Sequence, residues 1–182
     1  MGKVFVGIMT LLWLTACNSG ADTQTSGKQV TKADSTVQNA SNDDTTDEPL
    51  EDEYARYYVV ITDTGQFYDP LHAKMNALQS RTKIPVDTMG RLYNRTKNLI
   101  ALPDNDPDEL YAGEYYPRRY PSVNLSLEYL NIYNAQSGEK TIALVAGIFE
   151  SAKSADSLLA ILKKSHPQAF RLKSVLYIGC MH

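Results

Sequence analysis

The sequence predicts an α+β domain in which two similar strand–helix–strand units share one antiparallel sheet. Large apolar residues begin abruptly at Tyr54 and recur to the end of the chain. Two extended runs, 57–61 and 141–145, are each followed by a Gly-x-Phe element and then by an apolar stripe at helical spacing. The two Gly-x-Phe elements are Gly65 with Phe67, and Gly147 with Phe149, and both phenylalanines are expected to be largely buried.

The first unit begins with the run at 57–61, which has the β-branched and aromatic composition of a strand. Asp69-Pro70 then predicts a helix start, because Asp caps helix N-termini and Pro fits the first helical position. The apolar residues that recur at helical spacing after this start are Leu71, Met75 and Leu78. An extended segment that starts at 84–86 and runs toward Leu92-Tyr93 is expected to close the unit in the same sheet.

The second unit repeats this order. Its helix has Ser151 or Ser154 as a candidate N-cap and is ended by Pro167. The apolar stripe of this helix consists of Ala155, Leu158, Leu159 and Leu162. The run at 169–178 is the closing strand. Two such units give a ferredoxin-like split βαβ arrangement with both helices on one sheet face. The other face is expected to be either open or covered by the middle of the chain.

This repeat resembles the SPOR (sporulation-related repeat) domain, in which each half carries a strand, a Gly-x-Phe element and a helix with Ala and Leu. The better match, at 141–178, includes Val145, Gly147, Phe149, Ala155 and Leu159. The first half matches at Val60, Ile61, Gly65 and Phe67. It departs through Thr62-Asp63-Thr64, and the family does not normally have the segment 94–140. The resemblance implies an envelope or cell-division accessory protein that binds peptidoglycan glycan strands through an exposed sheet face.

The N-terminus predicts export. Lys3 precedes an apolar run at 4–14, which is too short to cross a bilayer as a mature helix. The run ends in Leu14-Thr15-Ala16-Cys17, which resembles the lipobox of bacterial lipoproteins. The resemblance implies removal of the signal peptide 1–16, a thioether-linked lipid on Cys17, and tethering of the periplasmic protein to a membrane, the outer one favoured over the inner. The alternative is an ordinary signal peptide with a chance Ala-Cys.

The remainder of the chain divides by composition and charge. Residues 18–53 contain two lysines against nine acidic residues, a net charge of −7, and almost no large apolar side chains. Such a segment cannot bury enough apolar surface to fold, so 17–53 is predicted to be a lipidated cysteine followed by a disordered acidic linker. The domain 54–182 has a net charge of +3. This weak charge, together with the predicted export, disfavours nucleic acid as a partner.

The middle of the domain carries five aromatic or cationic side chains within six positions, which are Tyr115, Tyr116, Arg118, Arg119 and Tyr120. One hypothesis is a ligand-binding platform, in which tyrosine rings stack on sugars and the arginines bind carboxylates. The alternative is structural, with the tyrosines packed over the sheet and the arginines paired with Glu114 and Glu128. The period-two apolar residues that follow, Leu125, Leu127 and Tyr129, predict an added strand.

The sequence offers little for catalysis. Its three histidines, His72, His166 and His182, lie in no recognisable catalytic or zinc signature, and there is no glycine-rich phosphate loop. Glu114 and Glu128 could pair for glycan cleavage, but a domain of this size contains such pairs by chance. We therefore expect a non-enzymatic module without cofactor or metal that binds peptidoglycan. The alternatives are a lipoprotein that scaffolds an envelope complex and a cell-wall hydrolase.

The cysteine near the C-terminus stands alone if Cys17 is lipidated. Cys180 lies in a strand-like run, 175–180, and is expected to be a buried, inert thiol. The alternative is metal binding by Cys180, Met181 and His182, which lack a second ligand cluster at metal-site spacing.

Overall fold

The computed structural model describes residues 51–180, which belong to the second of the two units into which the chain divides, Thr46–His182. The predictions for the signal peptide, Cys17, linker residues 18–50, Met181 and His182 therefore lie outside the described residues. The elements in chain order are β1 Tyr54–Gly65, α1 Tyr68–Thr82, β2 Leu92–Asn94, β3 Leu99–Ala101, β4 Ser126–Tyr129, a 3₁₀ turn Leu130–Ile132, β5 Ile142–Phe149, α2 Ala152–Lys163 and β6 Phe170–Tyr177.

The predicted fold class is confirmed. Four strands form one antiparallel sheet in the order β4-β5-β1-β6, which is the strand order of a ferredoxin-like fold. The long central strand β1 pairs with β5 on one side and with β6 on the other. The strands β2 and β3 form a separate two-stranded sheet.

The closing strand of the first unit is not the predicted one. Residues 84–93 contribute only an isolated bridge, Val86 to Leu125, and then β2, which pairs with β3 outside the main sheet. The fourth strand of the main sheet is β4, which the sequence predicted as an addition. Burial explains why β4, and not the segment 84–93, completes the main sheet. All four residues of β4 are buried, whereas Leu92 is 64% exposed.

The two helices cover one face of the sheet, as predicted. Helix α1 buries Leu71, Met75 and Leu78, and α2 buries Ala155 and Leu162. These side chains form a core with residues from the facing side of the strands, including Val60, Leu127, Tyr129, Ile142 and Leu144.

The N-caps of the two helices differ. Ser151 caps α2, because its hydroxyl accepts a hydrogen bond from the Ser154 N–H. The predicted cap Asp69 is wrong, since α1 begins at Tyr68 and its N-cap is Phe67, which makes no side-chain cap bond. Asp69 lies in the first turn and binds Arg95 instead. The extended conformation needed at the cap falls two residues earlier than the Asp-Pro pair suggests.

The second face of the sheet is buried beneath the middle of the chain, which is the second of the two expected arrangements. Its core consists of Tyr57, Val59, Ile61, Ala143, Val145, Ile148 and Leu176, packed with Leu130 and Tyr133 from the segment after β4. The Tyr133 carbonyl accepts a hydrogen bond from Ser174 of β6, which extends this cover across the sheet. The described domain therefore lacks the open sheet face that the SPOR resemblance implies for ligand binding.

The exposure of three side chains tests the burial that the sequence predicted for them. Phe149 is half-buried against the helix-face core, but Phe67 is 75% exposed, so its predicted burial is wrong. Cys180 is exposed because β6 ends at Tyr177, so its predicted burial is also wrong. Within 51–180, no helix has the length and apolar character needed to cross a membrane.

Candidate functional site

The five predicted contact residues do not form an exposed platform. Arg118 and Arg119 are 3% and 5% exposed, and Tyr115 and Tyr116 are partly buried. Tyr120 is 51% exposed. Both guanidinium groups are therefore turned into the protein, and the structural alternative describes their positions better than the platform does.

Arg118 connects the middle segment to β4. Its Nη1 donates to the Asn124 carbonyl at 2.8 Å and to Ser126 Oγ at 3.1 Å, while Nη2 donates to the Ser122 carbonyl at 2.7 Å. Burial lowers the pKa of Arg118 below its ordinary value, because these acceptors are neutral. The predicted pairing with Glu114 or Glu128 is absent among the described side chains. The backbone N–H of Arg118 is the group that reaches Glu128, at 3.4 Å.

Arg119 connects the same segment to the end of β6. Its Nη1 donates to the carbonyls of Tyr177 and Gly179 at 2.9 and 3.0 Å. The guanidinium also lies 5.7 Å from the ring centre of Tyr120, whose hydroxyl donates to the Ile178 carbonyl. These contacts hold residues 118–120 against the C-terminal strand.

A buried ion pair that the sequence did not reveal lies at the centre of this region. Glu128 of β4 binds Arg91, with Nη2 to Oε1 at 2.5 Å and Nη1 to Oε2 at 2.6 Å, and the two side chains are 0% and 1% exposed. Arg91 also donates to the carbonyls of Thr88 and Tyr116, and the Tyr115 hydroxyl donates to Glu128 Oε2 at 2.6 Å. A buried carboxylate bound in this way is structural and not accessible to a glycan.

The charged form of Arg91 is stabilised by its contact with Glu128. Burial lowers the pKa of Arg91, but the hydrogen bonds and negative charge of Glu128 outweigh burial and raise it above its ordinary value. Burial raises the pKa of Tyr115 well above its ordinary value, and the Glu128 charge raises it further. Arg91 is therefore charged at neutral pH, and Tyr115 keeps the proton that it donates to Glu128.

Accessible concave surface occurs at the C-terminal end of β4. Two adjoining depressions, with volumes of about 180 and 240 Å³, lie between the β2–β3 hairpin, residues 66–67 after β1, and the loop 131–140. We call them together the aromatic groove. The smaller depression is lined by Gln66, Phe67, Tyr93, Asn98 and Ile142, and the larger by Leu99, Tyr115, Asn131, Ile132 and Glu139. Tyr129 and Lys140 line both.

Rings and hydrogen bonds fix the walls of the aromatic groove. Tyr93 stacks on Tyr68 with ring centres 4.3 Å apart and nearly parallel planes, and its hydroxyl donates to Asn98. The Tyr129 hydroxyl accepts the Ile100 N–H at 3.0 Å, which joins the hairpin to the main sheet. Of the five predicted contact residues, Tyr115 lines the larger depression. Sequence reasoning missed the rest of this site because its walls come from separate parts of the chain. The available signal was the pair Tyr93 and Asn98 flanking a short turn.

No protein-family model, curated protein or solved structure matches this chain. The resemblances to the SPOR domain and to the lipobox therefore stay predictions from the residues that carry them. Among the described residues, no group of three or more His, Cys, Asp or Glu side chains is placed to hold a metal ion.

Proposed function

We propose that this chain is a membrane-anchored periplasmic lipoprotein whose domain binds peptidoglycan without catalysis. The sequence Leu14-Thr15-Ala16-Cys17 after a short apolar run supports the anchor and the envelope location. The observation that carries the binding proposal is the aromatic groove. It combines rings, side-chain amides and the cation of Lys140 on an accessible concave surface. The ligand does not use the SPOR-type sheet face, because that face is buried.

The linker fits a domain that must reach a layer away from its membrane. A flexible chain of the length of 18–53 has an r.m.s. reach of about 30–35 Å and could extend beyond ~100 Å.

The test is co-sedimentation of residues 18–182, expressed without the lipid, with purified sacculi. The sacculi are used intact and after enzymatic removal of stem peptides. We expect binding to both, and stronger binding to the stripped glycan because the strands become accessible. A protein that stays in the supernatant with both preparations contradicts the proposal. Release of soluble muropeptides would show a hydrolase instead.

The anchor has its own test. Cys17→Ala in the full chain is expected to leave the protein unlipidated and outside the membrane fraction, whereas mass spectrometry of the wild-type chain finds the lipid on Cys17. Membrane association of the variant, with no lipid on wild-type Cys17, contradicts the anchor.

A second candidate function is a lipoprotein that scaffolds an envelope protein complex. The observation in its favour is strand β6, whose outer edge has no strand partner in the described domain and carries Val175 at 50% exposure. Such an edge can accept a strand from another protein. Absence of sacculus binding, together with an envelope partner that is lost in Val175→Lys, would select this function.

A further inference from the structure

Phe67 occupies a position where stability favours another residue. Its backbone, with φ −115° and ψ 129°, closely matches that of Ser151 at the cap of α2, with φ −118° and ψ 141°. Ser, Asp or Asn at such a position accepts a helix N–H, and apolar residues do not. Phe67 makes no cap bond and remains 75% exposed, so neither capping nor burial accounts for it. An exposed ring on the wall of a groove is suited to contact with a ligand, because ligand sites are lined mainly by apolar and aromatic side chains.

The smaller depression has the chemistry of a sugar site. Phe67 presents an apolar ring, and Tyr93 is held in place by its stack on Tyr68. The amide groups of Gln66 and Asn98 line the same depression. Aromatic rings pack against the C–H faces of a sugar, and amides donate to and accept from its hydroxyl and N-acetyl groups.

The larger depression is lined by a residue whose side chain carries an unpaired acceptor. Asn131 lines it, and its Oδ1 is buried without a hydrogen-bond partner among the described residues. Buried polar atoms are nearly always paired, so this oxygen lacks a donor such as a hydroxyl or an amide N–H.

Lys140 lies where the two depressions meet and makes no hydrogen bond or ion pair within residues 51–180. Glu139 lines the larger depression beside it, so the groove does not carry a strong positive field. This balance suits a ligand with single, spaced carboxylates and not a polyanion.

The two-part shape of the groove suits a ligand made of successive units. Its parts have volumes of about 180 and 240 Å³ and form two neighbouring subsites. They adjoin through Tyr129 and Lys140. We infer that the aromatic groove binds two successive units of a glycan strand that bears N-acetyl groups and a carboxylate, with the sugar ring on Phe67 and the carboxylate on Lys140. This inference rests on the proposed function and specifies its ligand site.

The test measures binding of residues 18–182 to soluble, peptide-free glycan chains by calorimetry. Phe67→Ala should weaken binding about 5- to 10-fold through loss of the stacked ring. Lys140→Gln should weaken it about 2- to 5-fold and reduce its salt dependence. The matched controls are Ile161→Ala, an exposed apolar residue on α2, and Lys164→Gln, an exposed lysine beyond that helix, and both should bind like wild type.

A chemically modified glycan tests the contact between Lys140 and the ligand carboxylate. Glycan whose carboxylates have been converted to amides should bind the wild-type protein as weakly as unmodified glycan binds Lys140→Gln. The amidated glycan should bind Lys140→Gln with the same affinity as it binds the wild-type protein. An additional loss with the variant contradicts the Lys140 contact.

The outcomes separate the inference from the function on which it rests. If wild type binds and the groove variants bind equally well, the site is wrong and the function stands. Loss of binding in Tyr120→Ala would then place the contact in the predicted middle segment. If wild type binds neither sacculi nor soluble glycan, both proposals fail.

Discussion

The two halves of the domain start from the same local pattern and finish differently. In the second half, residues 164–169 connect α2 directly to β6, which completes the sheet beside β1. In the first half, residues 83–125 separate α1 from β4, and this segment forms the β2–β3 hairpin and carries Arg91, the partner of Glu128 in the buried ion pair. The comparison shows that a repeat in local sequence predicts the order of strand and helix but not the segment that closes the unit.

The same contrast appears at the Gly-x-Phe elements. A Cβ atom on Gly147 would lie 2.6 Å from the Phe149 ring, so the glycine makes room for a ring that packs against the helix-face core. A Cβ atom on Gly65 would meet only Leu71, at 3.6 Å, and Phe67 points away from the core. The Gly-x-Phe element of the second half therefore contributes to core packing, whereas that of the first half lines the aromatic groove.

The largest expected effect concerns the buried pair that holds the long segment of the first half. Glu128→Ala should lower the free energy of unfolding by about 3–5 kcal/mol, because it leaves the Arg91 guanidinium buried without its counter-ion. The matched change in the second half is Asp156→Asn, which breaks a partly exposed pair with Arg171 and should cost at most about 1 kcal/mol.

Urea denaturation followed by circular dichroism compares the two variants. If Glu128→Ala does not fold, Arg91→Met combined with Glu128→Leu should fold, since apolar side chains remove both charges together. A cost for Glu128→Ala no larger than that for Asp156→Asn contradicts the role given to the buried pair.

The second prediction sharpens the contrast between the two phenylalanines. Phe149→Ala should lower the free energy of unfolding by about 2–3 kcal/mol, below the ~3–5 kcal/mol of a fully buried ring because Phe149 is half-buried. Phe67→Ala should change it by less than about 0.5 kcal/mol, because its ring is exposed. Thermal and urea unfolding of both variants provide the measurement. Equal costs would show that the two elements pack alike after all.

The third prediction uses the two glycines. Gly147→Ala should cost about 1–3 kcal/mol, because the new methyl group must displace the Phe149 ring. Gly65→Ala should be neutral or stabilise by about 0.4–1 kcal/mol, since the site has room and the backbone is not in the positive-φ region. In Gly147→Ala combined with Phe149→Ala, the methyl group occupies vacated space. The double variant should therefore lose less stability than the two single changes together.

Much of this fold could be predicted because its signals are local. The helical spacing of Leu71, Met75 and Leu78 and the cap at Ser151 each depend on a few neighbouring residues, and both are confirmed. The closing strand of the first half depends on Glu128 meeting Arg91 across a long sequence separation, and no periodicity records that contact.

The candidate site was harder to predict for a related reason. The sequence favours Arg119 as a ligand contact, because charged side chains are usually exposed. Its Nη1 instead donates to the carbonyls of Tyr177 and Gly179, which lie far along the chain. The aromatic groove likewise exists only once the hairpin, the loop 131–140 and Phe67 are brought together.

The smallest expected effects concern the N-cap residues of the two helices. Ser151→Ala should lower the free energy of unfolding by about 1 kcal/mol, because the Ser154 N–H loses its acceptor. Phe67→Ser should raise it by about 0.5–1 kcal/mol, because its backbone already has the cap conformation and the ring buries little surface. The same Phe67→Ser variant should bind glycan more weakly, since it removes the stacking ring. A gain in stability with a loss in binding is the pattern expected where a residue is retained for function. If Phe67→Ser is destabilising in urea titrations, the ring contributes to the fold, and its presence no longer supports the groove as a binding site.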